Sequence, residues 1–391
     1  MTGIIVQHGH RQPRNRALVR CDVTAFIGFA LPDQWPEGYQ NGDFVEILIR
    51  GEREFQAYSL RHVFDRTVAR AVRNFFMNGG DEAHVFAICI NSMDELTSPM
   101  MNESLVSLFH RLEAEEDISL LNVPSLAYLP CQMLANGDII CGSERLYSRL
   151  LLHCSQMNNR FLIMDAPKDL HDEFLVRWIR RFRGVEPKVN SYGAIYYPWL
   201  CERDEFFPPG SAVAGLYVEV EKIHPPIGIQ WPPANLPLRG ITHSTLELDQ
   251  KEVSALSQEY VNAIYTVSGR GIMPMGARTL SNEPIFKQIN SRRIMNLIVE
   301  QIRRDSRWAV FEVNNPHLWS VVSRDVRSRL EEFWNAGLLR LSDSGEKYSV
   351  TCNAENNPSE LVDAGYINVE VRLQPVGTTE QILVDLNIGG L

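Results

Sequence analysis

Residues 161–200, FLIMDAPKDLHDEFLVRWIRRFRGVEPKVNSYGAIYYPWL, read as one strand–helix–strand unit. The opening apolar run is too short for a helix and breaks at Asp165-Ala166-Pro167. His171 to Phe182 is helix-like, and Tyr192 to Leu200 returns to an apolar, aromatic strand pattern. Two buried strands joined through a helix require a crossover, so the unit predicts parallel pairing in a sheet covered by helices.

The same order recurs toward the N-terminus. Cys21 to Ala30 reads as a buried strand, followed by a loop over Pro32 to Gly42. From Ser59 to Asn78, Leu60, Val63, Phe64, Val68, Val72, Phe75 and Phe76 fall at helical spacing, and Asn78-Gly79-Gly80 is a stop signal before the strand Val85 to Ile90. Helix-like Glu103 to Glu115 precedes ISLLNVPSL, and helix-like Glu144 to Asn158 precedes the opening stretch. This alternation predicts an α/β lobe with a largely parallel sheet.

Beyond Leu200 the texture changes to proline-rich turns at Pro208-Pro209, Pro225-Pro226 and Trp231-Pro232-Pro233, which suggests a domain boundary. We divide the chain into an arm (1–20), an α/β lobe (21–205), a smaller C-terminal domain (206–374) and a terminal arm strand (375–391). Near the end, Ile367, Val369, Val371 and Leu373 alternate with polar residues, and Ile382, Val384, Leu386 and Ile388 do so again. Both runs have the period of half-buried strands. Ile4, Ile5 and Val6 have too few apolar neighbours for a core and read as an extended segment that pairs elsewhere.

Composition excludes several classes. The 391 residues suffice for two cores, and a net charge of -10 argues against a phosphate-binding groove for nucleic acid. No apolar run approaches the roughly 20 residues of a membrane span, and the N-terminal residues lack the apolar core of a signal peptide, so cytoplasmic synthesis is the expectation. The seven cysteines show no CxxC pair and are expected as reduced thiols.

Recognisable catalytic motifs are scarce. The glycines of SGRGIMPMG (268–276) match neither phosphate-loop spacing, and no GxSxG elbow or HExxH occurs. His8 and His10 sit in the polar arm without acidic partners. Asp165 ends a strand where α/β sheets often place a functional carboxylate, but a turn residue capping the helix after Pro167 is the simpler account. No cofactor or metal site is expected.

Two neighbouring runs have no catalytic layout. In Arg270 to Arg307, Met295, Ile298, Val299 and Ile302 form an apolar helix side, leaving Arg293, Glu300 and Arg304 for ion pairs or solvent. In Trp308 to Leu339 a short strand, an Asn-Pro break and a second helix follow. Over Leu318 to Leu338 that helix sets Trp319, Val322, Val326, Leu330 and Phe333 on one face and Arg324, Arg327, Glu331 and Asn335 on the other.

These segments carry a resemblance. DVTAFIGFA (22–30), FFMNGG (75–80), YGAIYYPWL (192–200), PPGSAVAG (208–215), WPPAN (231–235), GARTL (276–280), INSRR (289–293), VFEVNNPHLW (310–319) and TTEQILVDL (378–386) follow the order and spacing of contractile tail sheath proteins. The chain resembles those of phages and of phage-tail-like injection particles of the antifeeding-prophage type. The resemblance implies a structural subunit and no enzyme, with a subtilisin-like α/β lobe lacking a triad, a smaller α+β C-terminal domain and extended terminal arms. It implies self-assembly as hexameric rings in a helical sleeve around an inner tube protein, with the baseplate, a terminal cap and sheath paralogues as further partners. Nucleic acid and membrane insertion are not implied. Assembly would be cytoplasmic, in a particle open to extracellular release. Ile4, Ile5 and Val6, with Ile382, Val384 and Leu386, match the arms that add strands to neighbouring subunits. Arg324, Arg327, Glu331 and Asn335 become the candidate tube-attachment surface. An α/β hydrolase-like enzyme and a non-contractile baseplate or scaffold component are the alternatives.

Overall fold

The computed structural model describes residues 17–59, 66–97, 101–225, 227–377 and 382–389. Ile4, Ile5, Val6, His8 and His10 lie outside them, as do Leu60, Val63 and Phe64 of the expected helix.

In chain order come β1 (Val23–Ala30), β2 (Phe44–Arg50), α1 (Glu52–Ser59), α2 (Arg66–Met77), β3 (Glu82–Cys89), α3 (Met101–Ala114) and β4 (Ile118–Asn122). A small hairpin, β5 (Cys131–Met133) and β6 (Ile139–Cys141), leads into α4 (Glu144–Met157), β7 (Phe161–Asp165), α5 (Asp172–Val185) and β8 (Gly193–Tyr197). Next are β9 (Leu200–Glu202), β10 (Glu205–Phe207), α6 (Gly210–Ile223), β11 (His243–Ser244), α7 (Gln250–Gln258), β12 (Val261–Val267) and β13 (Gly271–Pro274). The last part holds α8 (Ile289–Ser306), α9 (Pro316–Asn335), β14 (Tyr348–Thr351), α10 (Ser359–Asp363), β15 (Ile367–Leu373) and β16 (Ile382–Ile388).

Eight strands form the main sheet in the order β13-β12-β8-β7-β4-β1-β3-β2. Its six inner strands run parallel, while the edge strands β2 and β13 are antiparallel to their neighbours. Successive side chains leave opposite faces of each strand. Val23, Ala25, Ile27 and Phe29 of β1 therefore join one core with Leu108 of α3, Leu150 of α4 and Trp178 of α5. Phe26 joins the other, with Val72 and Phe75 of α2 and Val213 and Tyr217 of α6. Helices α2 and α6 approach closely because Gly215 has no side chain: a Cβ there would lie 2.5 Å from the Phe75 carbonyl. The predicted α/β sheet with helices on both faces is present.

Several expectations change. The strand β2 occupies a stretch the sequence reading left between a loop and a helix; its pattern FVEILIR is only half-buried, as suits an edge. The expected boundary near 205 falls inside the packing unit of the main sheet, because α6 covers one face and β12 pairs with β8. The third core begins beyond these elements, taking in α8, α9 and the sheet β14-β15-β16, with Ile229 as its earlier contribution. The short strand expected after Trp308 is a 3-10 turn, Arg307–Phe311, with Phe311 84% exposed.

Cys131 and Cys141 form a disulfide, contrary to the expectation of reduced thiols throughout. The two residues stand opposite each other in the β5–β6 hairpin. The other cysteines are free, and all except Cys21 are buried.

Candidate assembly interface

The helix α8 joins the two parts of the molecule. Its INSRR start reads as a solvated basic face by spacing alone, yet Arg292 and Arg293 are both buried. Arg292 lies between two rings, with its guanidinium carbon 4.4 Å from the Tyr192 centroid and 4.1 Å from that of Phe286. Arg293 donates to the Cys21 carbonyl at 2.7 Å and to Glu221 at 2.5 Å, and sits 4.8 Å from the Tyr217 ring. Burial opposes the Arg293 charge, but the Glu221 carboxylate more than offsets it and holds the guanidinium pKa above its ordinary value. Further along, Glu300 is 1% exposed and accepts from Arg303 and Arg304. Arg304 then reaches Asp117 and the Glu116 carbonyl beside β4. Of the two readings of these charges, ion pairs and solvent, the structure shows the first, and the pairs bridge the lobes.

The segment leading to the N-terminal arm is held against the same helix. The Gln301 amide accepts from Val19 N at 2.8 Å and donates to Ala17 O at 3.2 Å. Periodicity offered no signal for this clamp, since its partners lie 282 and 284 residues away in sequence.

The break before α9 follows from NNPHLW. Asn315 accepts from Leu318 N at 3.0 Å as the N-cap, and Pro316 fills the first helical position, where an amide hydrogen would have no acceptor. Asn314 takes the Trp319 ring N–H at 2.7 Å and donates to the Tyr366 carbonyl at 2.9 Å. Trp319, Val322, Val326, Leu330 and Phe333 are all buried. The opposite face divides. Arg324 and Asn335 are exposed, and Arg324 lies 3.9 Å from Asp325. Arg327 donates to Val350 O of β14 at 2.7 Å, while Glu331 accepts from Lys347 at 2.9 Å and from the Tyr348 hydroxyl at 2.8 Å. Two of the four candidate residues thus also brace the C-terminal sheet.

In that sheet β15 pairs antiparallel with β14 on one side and β16 on the other. Ile382, Val384 and Leu386 stand opposite Leu373, Val371 and Val369 of their own chain. Among the described residues, the other side of β16 is an edge.

The structure gives Asp165 a different role from the turn residue expected. It is fully buried and caps α6, accepting from Gly210 N at 2.5 Å and from Asn122 Nδ2 at 3.1 Å. Gly210 permits this approach, because a Cβ there would lie 2.8 Å from the carboxylate oxygens. Burial pushes the Asp165 pKa up to about 7, with the two hydrogen bonds only partly compensating. No acid–base pair or nucleophile faces it in hydrogen-bond contact among the described residues, and none of their histidines, cysteines and acidic residues group to hold a metal. No helix among them is long and apolar enough to cross a membrane.

What remains is a body with a terminal strand edge and a helix face, and the class follows from comparison. Residues 281–389 match the phage tail sheath C-terminal domain family, and the fold along the whole chain is that of sheath proteins. By these matches the chain is similar to tail sheath proteins. Among particular relatives, it is 24% identical over 186 residues to the tail sheath protein of Vibrio phage KVP40, a match covering 46% of this chain and 26% of the relative. The chain thus spans about a quarter of that relative's length. The sheath complex of an extracellular contractile injection system in its contracted state superposes with a TM-score of 0.69 at 20% identity, covering 99% of this chain and 97% of the other. A chain from the anti-feeding prophage baseplate gives the same score and identity, covering 99% and 98%.

Proposed function

We propose that this protein is a structural subunit of the contractile sheath of a phage-tail-like injection particle. It polymerises as stacked hexameric rings around an inner tube and contracts to drive the tube into a target. The observation that carries the reading is the sheath C-terminal domain match at 281–389 inside a chain whose full length follows the sheath fold. On this reading the α/β lobe is the subtilisin-like part, the particle acts outside the producing cell, and the chain also contacts the baseplate.

Links between copies come from the arms. A strand carrying Ile4, Ile5 and Val6, or one carrying Ile382, Val384 and Leu386, adds to a neighbour's sheet through backbone hydrogen bonds worth about 0.5–1.5 kcal/mol net each. Such tethers let subunits rotate as rigid bodies while the mesh stays connected. The outer edge of β16, unpaired among the described residues, supports this reading, since such an edge accepts a further strand. The exposed face of α9 grips the tube through Arg324, Arg327, Glu331 and Asn335, and contacts of this kind are weak enough singly to release.

Negative-stain microscopy of the purified full chain tests the reading. Tubes or stacked rings are expected, and discrete small particles under all assembly conditions would overturn it. For α9, reversal of Arg324 alone is the clean test, because Arg327 also holds β14. Unchanged tube retention in an Arg324→Glu sleeve would remove Arg324 from the attachment surface.

A further inference from the structure

After α8 the chain turns outward on an anchored base. Trp308 and Val310 pack against the third core, and Ala309 is buried within it. Glu312 N donates to Ala309 O at 3.2 Å, and Asn314 is held by the Trp319 ring and the Tyr366 carbonyl. Between these fixed points Phe311 and Val313 stand 84% and 76% exposed, with exposed Glu312 between them. Scattered apolar residues at a surface are ordinary, but two within three positions on a braced turn form a preorganised apolar prong.

A cavity of about 250 Å³ opens elsewhere on the same core. Buried Ile229 and Leu297 line it, together with Val19 and Ile227 packed against that core and exposed Leu18. An apolar cavity of about 150 Å³ takes up a benzene ring, so this one has room for a phenyl side chain. Asp22 and Glu221 also line it but are engaged by Arg20 and Arg293, and exposed Lys222 stands beside them. Phe311 of the same chain does not line the cavity. Leu297 precedes the end of α8 at Ser306 by nine residues, about 13 Å along the helix, and the prong lies beyond that end.

We infer that Phe311 inserts into this cavity on a second copy of the chain, with Val313 beside Leu18 at its mouth and Glu312 facing Lys222. This contact presupposes the self-assembling sheath subunit proposed above and is separate from the arms and the α9 face. Prong and cavity are unlike surfaces of one molecule, so the contact runs head to tail. Each copy offers both, and repetition builds rings or helical stacks instead of a closed pair. One aromatic side chain seated in an apolar pocket is the usual form of an interface hot spot.

In the test, the full chain with Phe311 replaced by photoreactive p-benzoylphenylalanine is irradiated under polymer-forming conditions. Covalent dimers are expected, with mass spectrometry placing the link at Leu18, Ile227 or Leu297. Links within one copy, links to residues 1–16 or to another surface, or no link at all would overturn the contact. Phe311→Ser changes an exposed side chain and should raise the critical protein concentration for polymer by about tenfold. Leu18→Asp should act in the same direction, with circular dichroism confirming the fold of both variants. An unchanged critical concentration in either variant would sink the contact and leave the sheath reading standing. Wild-type protein that forms no polymer under any assembly condition would remove both.

Discussion

Replacing Asp165 by Asn isolates the cost of a buried carboxylate. The Asp165 pKa rises from an ordinary 3.8 to about 7 in the fold, chiefly through desolvation. Below the ordinary value the residue is protonated in both states and contributes no pH dependence. As pH climbs through this window the unfolded chain releases its proton while the folded chain keeps it. Stability therefore falls by about 1.4 kcal/mol per pH unit and levels off above the folded value, a total of about 4 kcal/mol. The wild-type profile alone is not diagnostic, because buried His153 opposes it. Its pKa drops from 6.5 to about 3 through burial and the Arg160 charge. A base held neutral in this way loses stability as pH falls below its unfolded value, so the two slopes cancel between pH of about 4 and 6.5. The variant removes one slope and leaves the other. Urea unfolding of the wild type and Asp165→Asn at pH values of about 5 and 8 should show the variant gaining about 2–3 kcal/mol relative to the wild type at the higher pH. Constant effects of the substitution, including rearranged hydrogen bonds to Asn122, cancel in that difference. A gap unchanged between the two pH values would refute the buried-carboxylate account.

Arg160 is fully buried with no carboxylate partner among the described residues, donating to the carbonyls of Leu112, Glu115 and Ile118. Arg160→Met should destabilise by about 3–5 kcal/mol in urea unfolding, because it strands those carbonyls at the end of α3. A loss below about 1 kcal/mol would remove Arg160 as a structural anchor. Gln301→Ala should cost only about 1–2 kcal/mol globally, yet speed amide exchange at Val19, whose N–H loses its acceptor. Unchanged Val19 exchange would show that Gln301 does not hold the arm's root. Cys131→Ser/Cys141→Ser opens a loop with a sequence separation of 10 and should lower stability by about 2–3 kcal/mol. Equal melting of this variant and the wild type under non-reducing conditions would contradict the link.

The apolar runs of β1, β4, β7 and β8 were legible because strands buried on both faces need no alternation, and their short length excluded helices. Pairing over long sequence distances was not legible. Nothing local in Val261–Val267 says that it docks on β8 and extends the main sheet past the expected boundary. The hairpin that brings Cys131 opposite Cys141 did carry a local signal in Asn136-Gly137, a favoured turn pair between short strand-like runs. Phe311 and Val313 misled in the other direction, since both are apolar yet 84% and 76% exposed. Of the proposed assembly surface, the α9 faces were legible from spacing, whereas the contacts of Arg327 and Glu331 with β14 depended on a strand outside the helix.

The charges of α8 show why helical periodicity fails at an interlobe element. A moment analysis assigns Arg and Glu to solvent because an unpaired buried ion is prohibitive, but it cannot register partners from distant sequence. Arg293 finds Glu221 on α6, Arg304 finds Asp117 before β4, and Asp305 receives Arg329 from α9. Removing one member of a buried pair costs about 3–5 kcal/mol, a large share of a domain's stability of about 5–15 kcal/mol. Exposed ion pairs and single backbone bonds are worth about 1 kcal/mol or less. Lobes clamped through α8 therefore resist sliding against each other, and on the proposed sheath reading they do so far more than the edge of β16 or the outer face of α9 would resist separation from a neighbour. On that reading, movement that preserves the fold is confined to those outer contacts, and the chain acts as a rigid body with yielding attachments.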